Sequence, residues 1–423
     1  MIRPAVNLER HGYKISDVLI TFTDDNLTQI TISNTLIRSL SISNDYENNI
    51  MPSYMMTAVV QRNNYEKLIT NINTAMATFT IYRNVVGYIS GDEDFSYSDN
   101  DTLQNIEYAT LHLKVINESN INTINANKLP VSDTQNAMGS EVENYTQSLI
   151  PITLYMYNSE QLNKYKINSS FIIDGGLNDC IYQFFKQRNF TGVLMDAVAN
   201  NIGKTYAIPY GDLGFNIQKA NEYYGIYEYP YLFYMDPKRT YLINKGNLGR
   251  CLEKGELGTV NIYLEKMDEA GSLTQTGCFC DEENKVYILN ARDFEIADND
   301  SSIDYVAGGK ITTVIRGSGE IKHDTIGDYN IEKTYVVNNP YQHSQLIYSI
   351  KESKRNVGLV FTDVDINIFT PNKLFTIISD DTFYTKDYKI DGKYRLSSSA
   401  IYLSRQTEGG FKSNVQIQLN KVG

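Results

Sequence analysis

The chain has 423 residues, a formal net charge of −12 and four cysteines. That length is too great for one ordinary hydrophobic core and favours two or three domains. The negative charge argues against a protein that reads duplex DNA, because phosphate contacts need clustered Lys and Arg. Four scattered cysteines are too few for a disulfide framework, and we find neither a signal peptide nor an apolar run of membrane-spanning length. We therefore expect a soluble protein made in a reducing cytoplasm.

The first predicted elements are strands. A hairpin is expected over 18–32, where apolar and polar residues alternate around an Asp-Asp-Asn turn. The stretch 36–83 then predicts strand, polar turn, strand, helix and strand. Its helix should cover 65–76, with Asn64 as N-cap, because apolar residues recur there at helical spacing. A further strand over 107–117 completes a predicted N-terminal domain, residues 1–117, which we interpret as an antiparallel β-barrel or sandwich plugged by one helix.

A middle region of different character follows. Residues 118–148 are polar and predict a linker or an extended arm, and strand character over 149–157 opens a middle α/β domain, residues 149–345. Helices are expected in this domain over 177–188, 191–202, 216–224 and part of 341–354. Strands are expected over 231–235, 240–243, 260–264, 276–280 and 286–289. Residues 296–330 are interpreted as rich in loops.

The C-terminal domain, residues 346–423, is predicted to be a second small β-barrel that borrows strands from earlier in the chain. Alternation of apolar and acidic residues predicts a strand over 364–368, and another is expected over 374–378. Hairpins should turn at Asp391-Gly392 and Gly409-Gly410, where glycine supplies the positive φ of tight turns. The last strand places Val415 and its alternate neighbours toward the core. The predicted fold is therefore mainly β with an α+β insert.

No motif in the sequence predicts catalysis, and we expect no enzyme, no cofactor and no metal site. Gly203-Lys204-Thr205 lacks the first glycine of a phosphate loop, and Gly317-Ser318-Gly319 lacks the third glycine of a dinucleotide loop. Cys278 and Cys280 have no second local pair to complete a zinc site. Acidic and hydroxyl side chains at alternate positions of 298–304 are typical of calcium loops, but without the glycine or closing glutamate we favour a solvated acidic loop.

The order of these elements resembles the baseplate hub family of tailed phages, which is related to the base of the type VI secretion spike. Three stretches carry the resemblance: 37–83 is similar to the barrel shared by hub and tail-tube proteins, 215–244 to the family's helix-Gly-hairpin element, and 363–419 to its closing barrel. The last stretch contains Asp-Gly-Lys-Tyr-Arg-Leu, residues 391–396, and it has Pro371-Asn372 where such hubs often have Pro-Gly.

The resemblance implies a homotrimer in which each subunit gives two tube-like barrels to a ring of six positions. The ring would join the tail tube protein to the central spike protein, contact baseplate wedge proteins, and enclose a channel for tape-measure protein and DNA. DNA would pass without sequence-specific binding, since an acidic wall repels phosphates. The expected location is the virion, in the tail baseplate, after assembly in the host cytoplasm. Another tail protein (tube, distal tail or wedge) and a tail-associated cell-wall hydrolase are the alternatives.

The loop over 43–53 is the candidate contact with a neighbouring subunit or ring, because it is long and polar in a barrel that otherwise has tight turns. Its candidate interface residues are Ser43, Asn44, Asp45, Tyr46, Glu47, Asn48, Asn49, Met51 and Pro52. We expect that shortening this loop blocks assembly and leaves the fold intact.

Overall fold

The computed structural model describes 17 segments of the chain. They are residues 9–23, 29–32, 35–70, 74–88, 105–116, 149–196, 204–246, 258–264, 278–281, 286–291, 293–298, 309–326, 331–352, 355–362, 364–379, 391–407 and 410–422. The predicted linker, residues 118–148, and most of the 298–304 loop lie outside these residues.

Strands from both ends of the chain build one large sheet. From the N-terminal part come β1 (Glu9–Thr23), β2 (Gln29–Ile32), β3 (Ile37–Asp45), β4 (Ser53–Gln61), β5 (Met76–Tyr88), β6 (Asn105–Ile116) and β7 (Leu149–Tyr157). From the later part come β13 (Thr259–Leu264), β14 (Cys278–Asp281), β15 (Val286–Ala291), β16 (Asp293–Asp298), β20 (Arg355–Thr362), β21 (Leu374–Ser379), β22 (Gly392–Arg405) and β23 (Phe411–Lys421). The fold is mainly β, as predicted.

The pairing of these strands does not follow chain order. The sheet runs β14-β15-β13-β21-β22-β3-β4-β7-β6-β5-β1-β23-β20-β16, and β22 also pairs with β23. C-terminal β22 therefore lies beside N-terminal β3, with Ile401 opposite Ile42. β7, which the sequence placed at the start of the middle domain, pairs with β4 and β6 and so extends the N-terminal sheet. β13 pairs with β21, so the C-terminal part does borrow earlier strands.

The N-terminal pattern of strand, turn, strand, helix and strand is confirmed, with one shift. The helix α1 covers Arg62–Thr70, so it starts before the predicted N-cap Asn64 and ends before Ala75. Met76 instead opens β5, where it pairs with Thr23 of β1 and Lys114 of β6. Sheet hydrogen bonds to two neighbours outweigh the apolar spacing that suggested a longer helix.

The middle part contains three small units. In the first unit, β8 (Ser169–Gly175) and β10 (Lys204–Gly211) form a two-stranded antiparallel sheet, accompanied by the helices α2 (Ser159–Lys166), α3 (Leu177–Gln187) and α4 (Leu213–Tyr224). The second unit is the sheet of β9 (Val193–Met195), β11 (Tyr231–Met235) and β12 (Thr240–Asn244). The third unit is a sheet of β17 (Gly309–Ile315), β18 (Ile321–Ile326) and β19 (Glu332–Val337), which packs on α5 (Pro340–Glu352).

Five local predictions were wrong. Gly392 opens β22 and pairs with Ile377 of β21, so it does not form a hairpin turn with Asp391. Residues 193–195 form β9 beside β12 and not a helix, because parallel pairing with Thr240–Leu242 completes that sheet. The α4 helix is capped by Asp212, whose carboxylate accepts from the Phe215 N–H at 2.8 Å, and not by Asn216. Residues 309–326 are a hairpin whose glycine-rich turn looked like a loop. Ile366–Ile368 forms a 3-10 turn and not a strand, because Asp365 caps it.

The hydrophobic core follows the predicted strand alternation. Val415, Ile417 and Leu419 are at most 1% exposed, whereas the intervening Gln416 and Gln418 are exposed. One cluster of buried side chains extends from the N-terminal strands through β11 and β12 to the C-terminal strands. A second cluster lies among α3, α4 and the middle strands. The N-terminal and C-terminal sheets are thus packed as one body around the β11–β12 hairpin.

Candidate functional site

The predicted interface loop is shorter than the sequence suggested. β3 continues to Asp45 and β4 begins at Ser53, so Ser43, Asn44 and Asp45 are strand residues. The Asp45 carboxylate accepts from the N–H groups of Glu47 and Asn48, at 3.1 and 3.0 Å, and so fixes the turn that follows. Side chains therefore leave this turn in defined directions.

Tyr46 points inward from the turn and is 6% exposed. Its hydroxyl donates to the carbonyl of Phe369 at 3.0 Å, and its ring meets the ring of Tyr234 edge-on with centroids 4.6 Å apart. Burial raises the pKa of Tyr46, so the phenol stays neutral. This one side chain therefore contacts both the β11 strand of the middle part and the segment that precedes β21.

Asn44 extends the contact through a buried hydrogen-bond chain. The Tyr234 hydroxyl donates to Asn44 Oδ1 at 2.9 Å, and Asn44 Nδ2 donates to Ser399 Oγ of β22 at 3.1 Å. All three side chains are buried. Because buried polar groups are costly unless they are paired, this chain favours one arrangement of the three segments over others.

Glu47 holds the charged part of the same site. One carboxylate oxygen accepts from Arg395 Nη1 of β22 at 2.8 Å, and the other contacts Lys245 Nζ just after β12. The Arg395 side chain is 3% exposed. Burial raises the pKa of the Glu47 carboxyl, but the charges of Arg395 and Lys245 outweigh this effect and hold the pKa below its ordinary value. Glu47 is therefore ionised at neutral pH.

The turn between β11 and β12 is fixed by Asp236. Its carboxylate accepts from the N–H groups of Lys238 and Arg239, at 2.7 and 2.6 Å, and from the Tyr241 hydroxyl at 2.8 Å. Burial raises the pKa of Asp236, against these hydrogen bonds, which lower it. The N–H of Met235 donates to the carbonyl of Ile50 at 2.8 Å, so the hairpin is also joined to the predicted loop through the backbone.

We call this set of contacts the three-segment joint. It comprises Asn44, Tyr46 and Glu47 of the N-terminal part, Tyr234 and Lys245 of the middle part, and Arg395 and Ser399 of β22. Its chemistry is that of a structural joint: hydrogen bonds and ion pairs link side chains of the three segments, and none of its side chains is a nucleophile beside a base. Among the described residues, no group of His, Cys, Asp and Glu side chains could hold a metal ion.

An open cleft of about 540 Å³ lies beside the joint. The turn forms one wall through Tyr46, Glu47, Asn48, Asn49 and Ile50, and the first turns of α4 and strand β11 form the others. Glu47, Asn48 and Asn49 are the exposed residues of the turn, whereas Pro52 is buried and Met51 is half-buried. Among the predicted interface residues, the exposed ones are Glu47, Asn48 and Asn49 at the rim of this cleft and Ser43 on β3.

The remaining sequence candidates lie apart from the joint. Ser318 and its flanking glycines form the β17–β18 turn, with φ of 88° at Gly317 and 68° at Gly319. Two histidines that belong to no sequence motif, His112 and His323, each share a hydrogen bond with a threonine on a neighbouring strand. Sequence reasoning missed Arg395, although it noted the Asp-Gly-Lys-Tyr-Arg-Leu run: a charged residue inside a hairpin strand is the signal that could have marked it.

Comparison with known structures shows which solved proteins share this fold. The tail protein from Neisseria meningitidis MC58 aligns with a TM-score of 0.50 and 10% identity over 97% of each chain. The 43 kDa tail protein of prophage MuSo2 from Shewanella oneidensis aligns with a TM-score of 0.50 and 9% identity, over 96% of this chain and 97% of that one. A chain of the Francisella PdpA–VgrG complex aligns with a TM-score of 0.48 and 10% identity, and the alignment covers 98% of this chain and 53% of that chain.

The chain therefore has the fold of a phage tail structural protein. Its sequence matches the family model of the bacteriophage PBS1 gene 109 protein over residues 6–422, and the chain belongs to that family. No curated protein matches it. Within the described residues, no helix is long and apolar enough to cross a membrane.

Proposed function

We propose that this chain forms the baseplate hub ring that joins the tail tube to the central spike of a phage tail. In this proposal three copies form the ring, and each copy contributes two tube-like β-barrels to six positions. Tape-measure protein and DNA pass through the channel of the ring, and wedge proteins contact it from outside. The protein acts in the virion baseplate after assembly in the host cytoplasm, through protein contacts and without catalysis.

The interleaving of N-terminal and C-terminal strands carries the proposal. β22 pairs with β3, and β23 pairs with β1 and β22, so two sets of antiparallel strands are joined side by side in one chain. A subunit that must fill two neighbouring ring positions needs two such sets held at a fixed angle. The three-segment joint supports that rigidity, because its buried hydrogen bonds and its ion pairs link the N-terminal part, the middle part and β22.

The mass of the assembly in solution tests the proposal. A hub predicts particles of three times the chain mass of 48.1 kDa, seen by electron microscopy as a ring of six similar densities. A ring of six separate chains would instead indicate a tube protein, and a stable monomer absent from purified baseplates would refute both. Lysis of peptidoglycan by the isolated chain would indicate that the protein is a hydrolase and would contradict the purely structural function.

The exposed part of the 46–52 turn is the proposed contact with a neighbouring subunit or ring. Because Tyr46 and Glu47 are tied into the joint, removal of the whole loop would disturb the fold, and Asn48 and Asn49 are the residues to change. N48R/N49R should abolish ring formation, because added charge and bulk oppose a close interface. The matched variant N48S/N49S should still form rings. Normal rings from N48R/N49R would remove this contact from the proposal.

A further inference from the structure

The β17–β19 sheet has a strand edge that no described strand covers. The strand order is β18-β17-β19, so β19 pairs with β17 along one side only. The carbonyl groups of Ile331 and Val337 accept from N–H groups near the two ends of β17. Because successive residues of a strand direct their backbone groups to opposite sides, the odd-numbered residues of this stretch face β17. The N–H and C=O groups of Glu332, Thr334 and Val336 therefore face away from the sheet.

The sequence of β19 does little to protect this edge. Edge strands are usually blocked by charged residues, prolines or bulges. In β19 the charged residues are Glu332 and Lys333, at its start, whereas residues 334–337 are a Thr-Tyr-Val-Val run of high β propensity. No residue of this strand is fully buried. The edge is therefore open to pairing with a further strand.

An exposed apolar row ends at the same edge. On the outward face of the sheet, Val314 of β17 lies opposite both Ile321 of β18 and Val336 of β19. The Ile321 side chain is 56% exposed and the Val336 side chain is 61% exposed. A strand added to β19 would place one of its own side chains beside Val336, and an apolar side chain there would cover that end of the row.

An open cleft of about 540 Å³ lies along the edge of β19. One wall is formed by residues 335–338, a second by α5, and a third by the end of α4 together with Pro230 and Tyr231. Of the described residues, none from β17 or β18 lines the cleft, so it lies on the side of β19 that faces away from its sheet partner. Its volume is in the range of ligand-binding clefts, about 300–1,000 Å³.

Amide side chains hold the walls of this cleft in place. Asn339 is 5% exposed, and its Nδ2 donates to the carbonyl groups of Asn221 and Glu222 at the end of α4, at 3.0 and 2.9 Å. Its Oδ1 accepts from the N–H of Tyr341 at the start of α5, at 3.1 Å. The side chains of Gln345 and Asn221 exchange two hydrogen bonds, at 3.1 and 3.0 Å. These contacts fix the separation of the α4 and α5 walls before anything enters.

The lining of the cleft selects an uncharged and narrow occupant. Glu222 is the one charged residue among the described residues of the lining, and its carboxylate pairs with Lys219 at 2.6 Å. A charged segment would therefore find no free counter-charge in the cleft. Because α4 and α5 also line the space beside β19, a single extended segment fits there. The edge of a second folded sheet does not fit, since its next strand would need the space that these walls occupy.

We propose that β19 and this cleft receive one extended segment of a different tail protein, which pairs with β19 as a fourth strand of the sheet. Its main chain bonds to the outward N–H and C=O groups of Glu332, Thr334 and Val336, which supplies affinity, and its side chains supply specificity. The segment is uncharged and has an apolar residue beside Val336. This inference goes beyond the ring proposed above, and it requires only that the chain is part of the tail.

The first test blocks the edge without disturbing the sheet. T334P removes an N–H that faces away from β17, and proline is tolerated at such edge positions. T334V keeps the N–H. T325P makes the same change on the free edge of β18, where the Thr325 N–H donates only to the neighbouring Asp324 carboxylate. V336K leaves the backbone unchanged and places a charge beside the added strand.

We expect T334P and V336K to enter purified tails at least about tenfold less than the natural chain, and T334V and T325P to enter normally. Thermal melting of the isolated chains shows which variants are folded, and V336K carries the test if T334P is not. Normal entry of folded T334P and V336K would overturn the inference.

The second test measures the edge directly by hydrogen exchange of the natural chain. The amides of Glu332, Thr334 and Val336 should exchange at least about tenfold more slowly in purified tails than in the isolated chain, whereas the amide of His323 on the other edge should not change. A photoreactive benzoylphenylalanine in place of Val336 should then link the chain to an uncharged segment of a different tail protein, identified by mass spectrometry.

The outcomes separate this inference from the proposed function. Unchanged exchange at β19, with the chain present in the tail, would remove the added strand and leave the hub ring untouched. A cross-link to another copy of this chain would contradict the proposed occupant. Absence of the chain from purified tails would overturn both the hub ring and the tail partner.

Discussion

Replacement of Glu47 by Gln changes only one small side-chain group, yet it should strongly destabilise the folded chain. The carboxylate is the partner of Arg395, whose side chain is 3% exposed, and it also contacts Lys245, whose side chain is 12% exposed. Loss of one partner of a buried pair leaves an uncompensated charge and typically costs roughly 3–5 kcal/mol. Because Glu47 itself is 28% exposed, we expect the lower end, about 3 kcal/mol, in the free energy of unfolding.

The measurement is urea unfolding of the purified chain, followed by tyrosine fluorescence, since the chain has 33 Tyr and no Trp. The matched control is E66Q, which breaks the Arg62–Glu66 pair on α1, where the Glu66 side chain is 54% exposed. Exposed pairs of this spacing are worth about 0.3–0.5 kcal/mol. If E47Q costs no more than E66Q, the joint does not hold the segments together as argued.

The same pair makes a prediction about pH. The folded-state pKa of Glu47 is lowered, so the carboxylate contributes stability above its unfolded-state pKa, near pH 4.5, and this contribution is lost as the pH falls through the folded-state pKa. The difference in stability between the natural chain and E47Q should therefore be constant at neutral pH and shrink below pH 4.5. A difference that persists at low pH would indicate that packing, and not charge, is responsible.

Three smaller predictions concern other parts of the fold. Y46F should cost about 1–2 kcal/mol in the free energy of unfolding, because it leaves a buried backbone carbonyl without its donor, and Y402F, at an exposed tyrosine, should cost nearly nothing. G225A and G319A both force Ala to a positive φ, but only at Gly225 would the new Cβ meet packed atoms, at 2.3 Å. Thermal melting should therefore show a free energy of unfolding for G225A that is at least about 1 kcal/mol lower than that of G319A. Burial and a nearby lysine lower the pKa of His343, so stability should fall as the pH drops below 6.5, and H343Q should flatten that dependence in pH-dependent melting.

Periodic patterns in the sequence were sufficient for most of the elements. The strands around 37–61 and the pair β22–β23 were predicted because apolar residues recur there at every second position. The hairpin of β11 and β12 was predicted because two apolar runs flank a polar turn. Gly225 was correctly predicted to end α4, where its φ is 77°. Errors arose where the elements are short or the turn residues dominate, as in β9 and in the β17–β18 hairpin.

The candidate site shows what local sequence patterns cannot predict, namely contacts between residues far apart in the chain. The loop residues were predicted to contact a neighbouring subunit or ring because they form a long and polar loop, and the structure pairs Glu47 of this loop with Arg395, 348 positions later in the chain. Asn44 and Ser399 are separated by 355 positions. A single sequence contains no information that joins residues so far apart, because each position looks like an ordinary polar strand or turn residue.

The sequence by itself determined the mainly β character, the positions of most strands and the acidic balance of the chain, because each of these depends on local spacing or on composition. Only the tertiary structure decided that β22 lies beside β3 and that β7 belongs to the N-terminal sheet. Those features depend on which strand edges meet. That choice is made by the packing of the whole core, since any strand edge offers the same backbone hydrogen bonds.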